Sequence, residues 1–158
     1  MIRLVHGRPE RSDRQRGYET MRARILVAED DRATRRAIVK ALSRQGYEVE
    51  AVDNGNDADR EIRQSPPDLV LLDVMLPGKN GLDICTFMKS DSTLKSIPVI
   101  ILTCLTADSP ENDGYWRERT AADDFLSKPF PVSELVRRVD RLLASRGAPG
   151  CRPPTGYA

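Results

Sequence analysis

The chain has 158 residues, 39% apolar and 31% charged, enough for one domain with a real core and too apolar for a disordered polymer. Its 25 Lys and Arg against 24 Asp and Glu leave a net charge of +1, which gives no global electrostatic reason to expect nucleic acid, a membrane surface or a polyanionic substrate. Cys85, Cys104 and Cys151 are far apart without C-x-x-C spacing, and no apolar run approaches the roughly 20 residues of a bilayer span, so a soluble cytoplasmic protein without disulfides or structural zinc is expected.

Residues 1–22 carry Arg3, Arg8, Arg11, Arg14 and Arg16 among glycine and proline with no apolar period. They read as a disordered basic arm, a solvated tail in preference to a nucleic-acid contact. Ile25 to Ala28 is a short apolar run that ends in acids. From Arg32 to Arg44, Ala33, Ala37, Ile38, Ala41 and Leu42 recur at helical spacing, and Gly46 ends that helix. Tyr47 to Val52 alternates as a strand. Asn54 to Gln64 reads as a helix anchored by Ala58 and Ile62, stopped by Pro66 and Pro67. Leu69 to Leu72 is a second buried run, Leu82 to Met88 a helix, and Pro98 to Leu102 a third buried run. Asp108 to Thr120, with Pro110 and Gly114, is the least legible stretch. Asp124 to Ser127 is a short strand, followed by a helix with Leu135, Val136, Val139, Leu142 and Leu143 on one face and Arg137, Arg138 and Arg141 opposite. Gly147 to Ala158 reads as a flexible tail, which leaves residues 23–146 as the domain. Cys85 and Cys104 read as small buried hydrophobes. Trp116 reads as core in preference to a partner anchor.

Short apolar strands alternating with amphipathic helices imply a parallel sheet covered on both faces, an α/β fold that binds ligands beyond the carboxyl ends of its strands. Those ends carry Glu29, Asp30 and Asp31, then Asp73, then Thr103, then Lys128 before Pro129. Carboxylates gathered on one rim raise one another's pKa unless a cation joins them, and a shallow oxygen-lined site suits Mg²⁺. Asp31, directly before a helix, reads as its N-cap.

The segment Leu69-Val70-Leu71-Leu72-Asp73-Val74-Met75-Leu76-Pro77-Gly78-Lys79-Asn80-Gly81 resembles the phosphoacceptor loop of bacterial response-regulator receiver domains. Ile25-Leu26-Val27-Ala28-Glu29-Asp30-Asp31 is similar to their opening strand and acidic pair, Thr103 falls at their hydroxyl position, and Asp123-Asp124-Phe125-Leu126-Ser127-Lys128-Pro129-Phe130 resembles their lysine motif. The resemblance covers about residues 22–146. It implies a flavodoxin-like (βα)5 three-layer sandwich with strand order 2-1-3-4-5. It further implies that Asp73 accepts a phosphoryl group from a sensor histidine kinase or histidine phosphotransfer protein. Glu29, Asp30, Asp73 and the main-chain carbonyl of Met75 would hold Mg²⁺, and Lys128 would pair with Asp73 and then with the phosphoryl group. Thr103 and Phe125 would form the switch, and Lys128–Pro129 is the candidate cis peptide. Such a protein is a signalling switch with at most slow self-dephosphorylation, rather than a turnover enzyme.

The stretch from Thr103 to Lys128 is about three residues longer than usual in the family, and Ala121 stands where a capping glycine is common. An irregular helix between the fourth and fifth strands is therefore expected, on the face the family uses for output and for homodimers. No helix-turn-helix follows Arg146, so a stand-alone regulator without a DNA-binding domain, docking to a downstream protein yet to be identified, is expected. In the family the residues two beyond these site positions influence how readily water attacks the acyl phosphate, so the resemblance, with apolar Met75 and Leu105 there, implies a comparatively long-lived phosphoryl state. The alternative readings are a phosphorylation-independent scaffold with the same fold, and a nucleic-acid accessory acting through the arm.

Overall fold

The computed structural model describes residues 22–104 and 120–146. In chain order these form β1 (Arg24–Ala28), α1 (Arg32–Arg44), β2 (Glu48–Val52), α2 (Gly55–Gln64), β3 (Leu69–Asp73), α3 (Gly81–Ser90), β4 (Val99–Thr103), β5 (Asp124–Ser127) and α4 (Val132–Arg146). The expected elements that fall within the described residues are present, with ends moved by a residue or two; the irregular helix expected between the fourth and fifth strands falls outside them. The expectations for residues 1–21, for 105–119 including Leu105, Pro110, Gly114 and Trp116, and for 147–158 lie outside the described residues.

The strands form one parallel sheet in the order β2-β1-β3-β4-β5. Its register pairs Ala28 with Leu72, Asp73 with Leu102, and Thr103 with Ser127, so the carboxyl ends of β1, β3, β4 and β5 share one edge. Strand order reverses between β1 and β3, the place where such sheets bind ligands. Side chains alternate across the sheet. Leu26, Ala28, Val70, Leu72, Val99, Ile101 and Phe125 pack toward α2 and α3, on Ala58, Ile62, Ile84, Cys85 and Met88. Ile25, Val27, Leu69, Leu71, Ile100, Leu102 and Leu126 pack toward α1 and α4, on Ile38, Leu42, Leu135, Val139 and Leu143. Burial on both faces is why β3 and β4 read as unbroken apolar runs rather than alternating ones.

Two expectations are corrected here. Cys104 is exposed, because it follows the last residue of β4 and has left the sheet; Cys85, on the inner side of α3, is buried, and burial pushes its thiol up to about 12. Arg138 does not point away with Arg137. Its Nη1 donates to Asp124 Oδ1 at 2.9 Å and to the Phe125 carbonyl at 2.8 Å, and Arg141 Nη2 reaches Asp124 Oδ2 at 3.1 Å. A carboxylate at the start of β5, 5% exposed, needs these partners, and their guanidinium groups fasten α4 to the edge strand.

Candidate functional site

The loop after β1 is built by its own acids. Asp31 is the N-cap of α1: its Oδ2 accepts from Thr34 N at 2.8 Å and from Thr34 Oγ1 at 2.6 Å, and these hydrogen bonds hold its carboxyl below the usual aspartate value. Glu29 is fully buried, its Oε1 accepting from Asp31 N at 3.1 Å. Arg35, one turn into α1, donates through Nη1 to the carbonyls of Glu29 at 3.0 Å and Asp30 at 3.2 Å, which pins the turn that aims both carboxylates at the sheet edge.

Asp73 closes β3 and is 3% exposed. Its Oδ1 accepts from Met75 N at 3.0 Å and its Oδ2 from Lys128 Nζ at 2.7 Å. Met75 therefore sets its backbone against the carboxylate while its side chain stays 73% exposed. Gly81, first residue of α3, lies so close that an added Cβ would sit 2.1 Å from the Asp73 carbonyl oxygen. The same loop is fixed from α2: Gly55 N donates to the Pro77 carbonyl at 2.8 Å, a Cβ on Gly55 would sit 1.7 Å from the Lys79 carbonyl oxygen, and Lys79 Nζ pairs with Asp59 at 3.1 Å.

Lys128 enters from the β5 side, its N–H donating to the Thr103 carbonyl at 2.7 Å and its ammonium standing 2.5 Å from Glu29 Oε2 as well as beside Asp73. Burial works against that charge, but the Asp73 hydrogen bond and the Glu29 contact outweigh it and hold the lysine above its usual value. Lys128–Pro129 is cis, as the family resemblance implied.

One carboxylate oxygen each from Glu29, Asp30 and Asp73 lie within 4.8 Å of one another. Burial raises Glu29 from 4.5 to about 7; Lys128 and the Asp31 N–H pull it back down, while the Asp73 carboxylate adds to the rise. Glu29 Oε2 receives no aligned hydrogen bond despite its ion-pair contact, and the buried Thr103 Oγ1 has no hydrogen-bond partner in the structure. Three acids on one rim, a carboxyl that resists ionising and a buried oxygen left over fit a hard divalent cation. The unpartnered Thr103 hydroxyl can serve an anion placed beside it.

The structure thus gathers Glu29, Asp30, Asp73, Thr103 and Lys128 on one edge, with Met75 at its rim. Phe125 stands apart from the carboxylates, 3% exposed in the core on the α2–α3 side. Arg35, Gly55 and Gly81 were not singled out by sequence. Both glycines follow a helix-capping asparagine, Asn54 and Asn80, and that repeated Asn-Gly was the available signal.

Sheet order and edge chemistry define a flavodoxin-like domain whose ligand edge carries clustered carboxylates and one lysine. The response regulator receiver domain model matches residues 25–140. The chain is 39% identical over 121 residues to the DNA-binding response regulator MtrA of Mycobacterium bovis, covering 77% of this chain and 50% of MtrA. It is 40% identical over 123 residues to response regulator MprA of Mycolicibacterium vanbaalenii, covering 78% and 51%. Among solved structures, the receiver domain of a signal transduction histidine kinase from Syntrophus aciditrophicus superposes with TM-score 0.73 at 32% identity, covering 86% of this chain and 98% of that one. The BeF3-activated DrrB receiver domain gives TM-score 0.68 at 33% identity, covering 78% and 99%. The chain belongs to the response-regulator receiver domain family.

It spans about half the length of the curated relatives it matches. The expectation of a regulator without a DNA-binding domain is overturned by those relatives, since MtrA is named a DNA-binding response regulator and the match covers only half of it. The length of this chain gives no ground for excluding a DNA-linked output. No helix among the described residues is long and apolar enough to cross a membrane.

Proposed function

We propose that this receiver domain works in phosphorelay signalling, with Asp73 as the phosphoacceptor. An Asp73 carboxylate oxygen bonds to phosphorus as the bond from phosphorus to a donor histidine nitrogen breaks; the electron pair leaves with the imidazole, and Asp73 becomes an acyl phosphate. The donor is a sensor histidine kinase or a histidine phosphotransfer protein. Glu29, Asp30, Asp73 and the Met75 carbonyl would hold Mg²⁺, which when bound would supply charge screening between the phosphoryl oxygens and the acids. Lys128 holds Asp73 in place and then exchanges its carboxylate partner for the phosphoryl group. Thr103 donates its unpaired hydroxyl to a phosphoryl oxygen, and its movement frees space for Phe125 to rearrange, which alters a surface read by a downstream protein. The protein is a switch rather than a turnover enzyme and acts in the cytoplasm.

The observation that carries this reading is the Lys128 ammonium shared between Asp73 and Glu29 inside a cluster of three acids. A phosphorylation-independent scaffold has no use for that arrangement.

The test is beryllofluoride titration with Mg²⁺, following amide chemical shifts. Beryllofluoride stands in for the aspartyl phosphoryl group, and one structural neighbour is described as BeF3-activated. Shifts spreading from Asp73 through Thr103 to Phe125, absent in a folded Asp73→Asn variant, are expected. A folded protein that binds Mg²⁺ but gives no such response overturns the reading.

A further inference from the structure

One side chain of α1 holds the acidic loop through its backbone. Arg35 Nη1 carries two hydrogens and donates to the Glu29 carbonyl at 3.0 Å and to the Asp30 carbonyl at 3.2 Å. The second of these bonds reaches further than the loop. The Asp30 carbonyl and the Asp31 N–H belong to a single trans peptide group, so they point to opposite sides of it. That N–H donates to Glu29 Oε1 at 3.1 Å. A guanidinium on one side and a buried carboxylate on the other are thus joined through one peptide, and each polarises it in the sense that strengthens the other's hydrogen bond.

The helix fixes both ends of this connection. Arg35 N–H donates to the Asp31 carbonyl at 2.9 Å, and Asp31 caps the same turn by accepting from Thr34 N. Asp31 is therefore held on its carboxyl side by α1, and the peptide on its amino side is held by the Arg35 side chain. The other charged contact of Glu29 is Lys128, at Oε2. Lys128 is the group that the proposed function sets in motion when a phosphoryl group arrives, so the Asp31 N–H is the hold on Glu29 that stays.

We propose that Arg35 is a positioning residue for the metal. By fixing the Asp30–Asp31 peptide it keeps Glu29 Oε1 on a backbone donor and leaves Oε2, which receives no aligned hydrogen bond, for the cation. This rests on the proposed function, in which Glu29, Asp30 and Asp73 hold Mg²⁺. Removing a group that orients a metal ligand typically weakens metal binding by about 10–100-fold. Charge alone gives the opposite sign. Arg35 sets a cation beside two residues that would ligate a dication, so if its effect were purely electrostatic, its removal would tighten Mg²⁺.

The test is calorimetric titration of Mg²⁺ into the full chain and into Arg35→Ala, Arg35→Lys and Arg36→Ala, with the Asp31 amide resonance followed in the metal-free proteins. Arg35→Ala is expected to bind Mg²⁺ about 10-fold more weakly. Arg35→Lys is expected to fall between it and wild type, because an ammonium keeps the charge without the planar, pre-organised donors. Arg36→Ala removes the same charge from the exposed neighbouring residue and is expected to stay within about twofold of wild type, since exposed charges are screened. The Asp31 amide is expected to move upfield and lose exchange protection in Arg35→Ala, and to keep both in Arg36→Ala. Unchanged or tighter Mg²⁺ binding by a folded Arg35→Ala overturns the proposal, and so does an Asp31 amide that this variant leaves as in wild type. Equal weakening by Arg36→Ala overturns it in favour of a general effect of charge. If Arg35→Ala does not fold, an Arg35→Lys variant that binds as wild type overturns it. A wild type that binds no Mg²⁺ overturns the functional reading, and the role of Arg35 toward the metal falls with it whatever the Asp31 amide does.

Discussion

Without a cation, Glu29 should make this protein less stable as pH rises through the neutral range. Its carboxyl titrates at about 7 in the folded chain and at 4.5 when unfolded, because burial and the Asp73 carboxylate disfavour its charge by more than Lys128 and the Asp31 N–H restore. Between those values the folded state holds a proton that the unfolded state has released, so unfolding free energy falls with pH, and above about 7 the loss is complete. A gap of about 2.5 units at 1.36 kcal/mol each corresponds to about 3 kcal/mol. Asp31, Asp57 and Glu134 are all held below their usual values, stabilise the fold above them, and finish titrating at lower pH. The one histidine, His6, lies outside the described residues and is common to any variant compared. Mg²⁺ favours the ionised carboxylate and should remove the loss. Urea unfolding from pH 5 to 7.5, with and without Mg²⁺, measures it directly: Mg²⁺ should stabilise little at pH 5 and by about 3 kcal/mol more at pH 7.5. Glu29→Gln should flatten the metal-free profile. A Mg²⁺ effect independent of pH, or a Glu29→Gln variant that keeps the slope, refutes the reasoning.

Ala121 has φ 52°, a left-handed conformation that places its Cβ against the following carbonyl at a cost of about 1–2 kcal/mol. Ala121→Gly relieves that and loses about 0.4–1 kcal/mol through the freer unfolded chain, so a net gain of about 0.5–1 kcal/mol is expected in urea unfolding. Gly81→Ala drives a Cβ into the Asp73 carbonyl, so a loss of about 1–3 kcal/mol is expected together with slower phosphorylation by acetyl phosphate. Lys128→Ala leaves Glu29 and Asp73 facing each other, and at pH 8 without Mg²⁺ it should lose about 3 kcal/mol, most of it restored by Mg²⁺ and none of the beryllofluoride response recovered.

The fold was legible because β1, β3 and β4 are short apolar runs, and because β1, β3, β4 and β5 each end at or next to a residue that the site uses. Asp73, Glu29 and Lys128 could be placed on one edge from topology alone, since parallel strands in this order bring their carboxyl ends together. The residues that sequence left out act through backbone geometry. Gly55 and Gly81 matter for what a Cβ would strike, and Arg35 for two carbonyls it reaches from the next helix. Arg138 was misplaced because helical periodicity assigns a face by angle, whereas its long side chain bends back to a buried acid on a neighbouring strand. Cys104 was misplaced because an apolar run does not mark its last inward residue.

The site's two sides are held in different ways, and on the proposed function this bears on where a phosphoryl group would act. On the β1 and β3 side, Asp31 caps α1, Arg35 pins the loop carbonyls, and Gly55, Gly81 and the Lys79–Asp59 pair lock the loop after Asp73 against α2 and α3. Ligand-induced strain finds little to move there, because backbone packed against backbone has no nearby alternative arrangement. On the β4 and β5 side, Thr103 offers a hydroxyl with no hydrogen-bond partner in the structure, and Lys128 is shared between two acids. On the proposed function, a phosphoryl group on Asp73 would redirect both at once, recruiting the hydroxyl and drawing the ammonium off its carboxylates. Since β4 and β5 are directly paired from Ile100 to Thr103, any displacement of Thr103 or Lys128 is passed into the strand that carries Phe125 and, through Asp124, into α4. The half locked by backbone contacts thus positions the chemistry, and on the proposed function the half that carries Thr103 and Lys128 is the one that would report it.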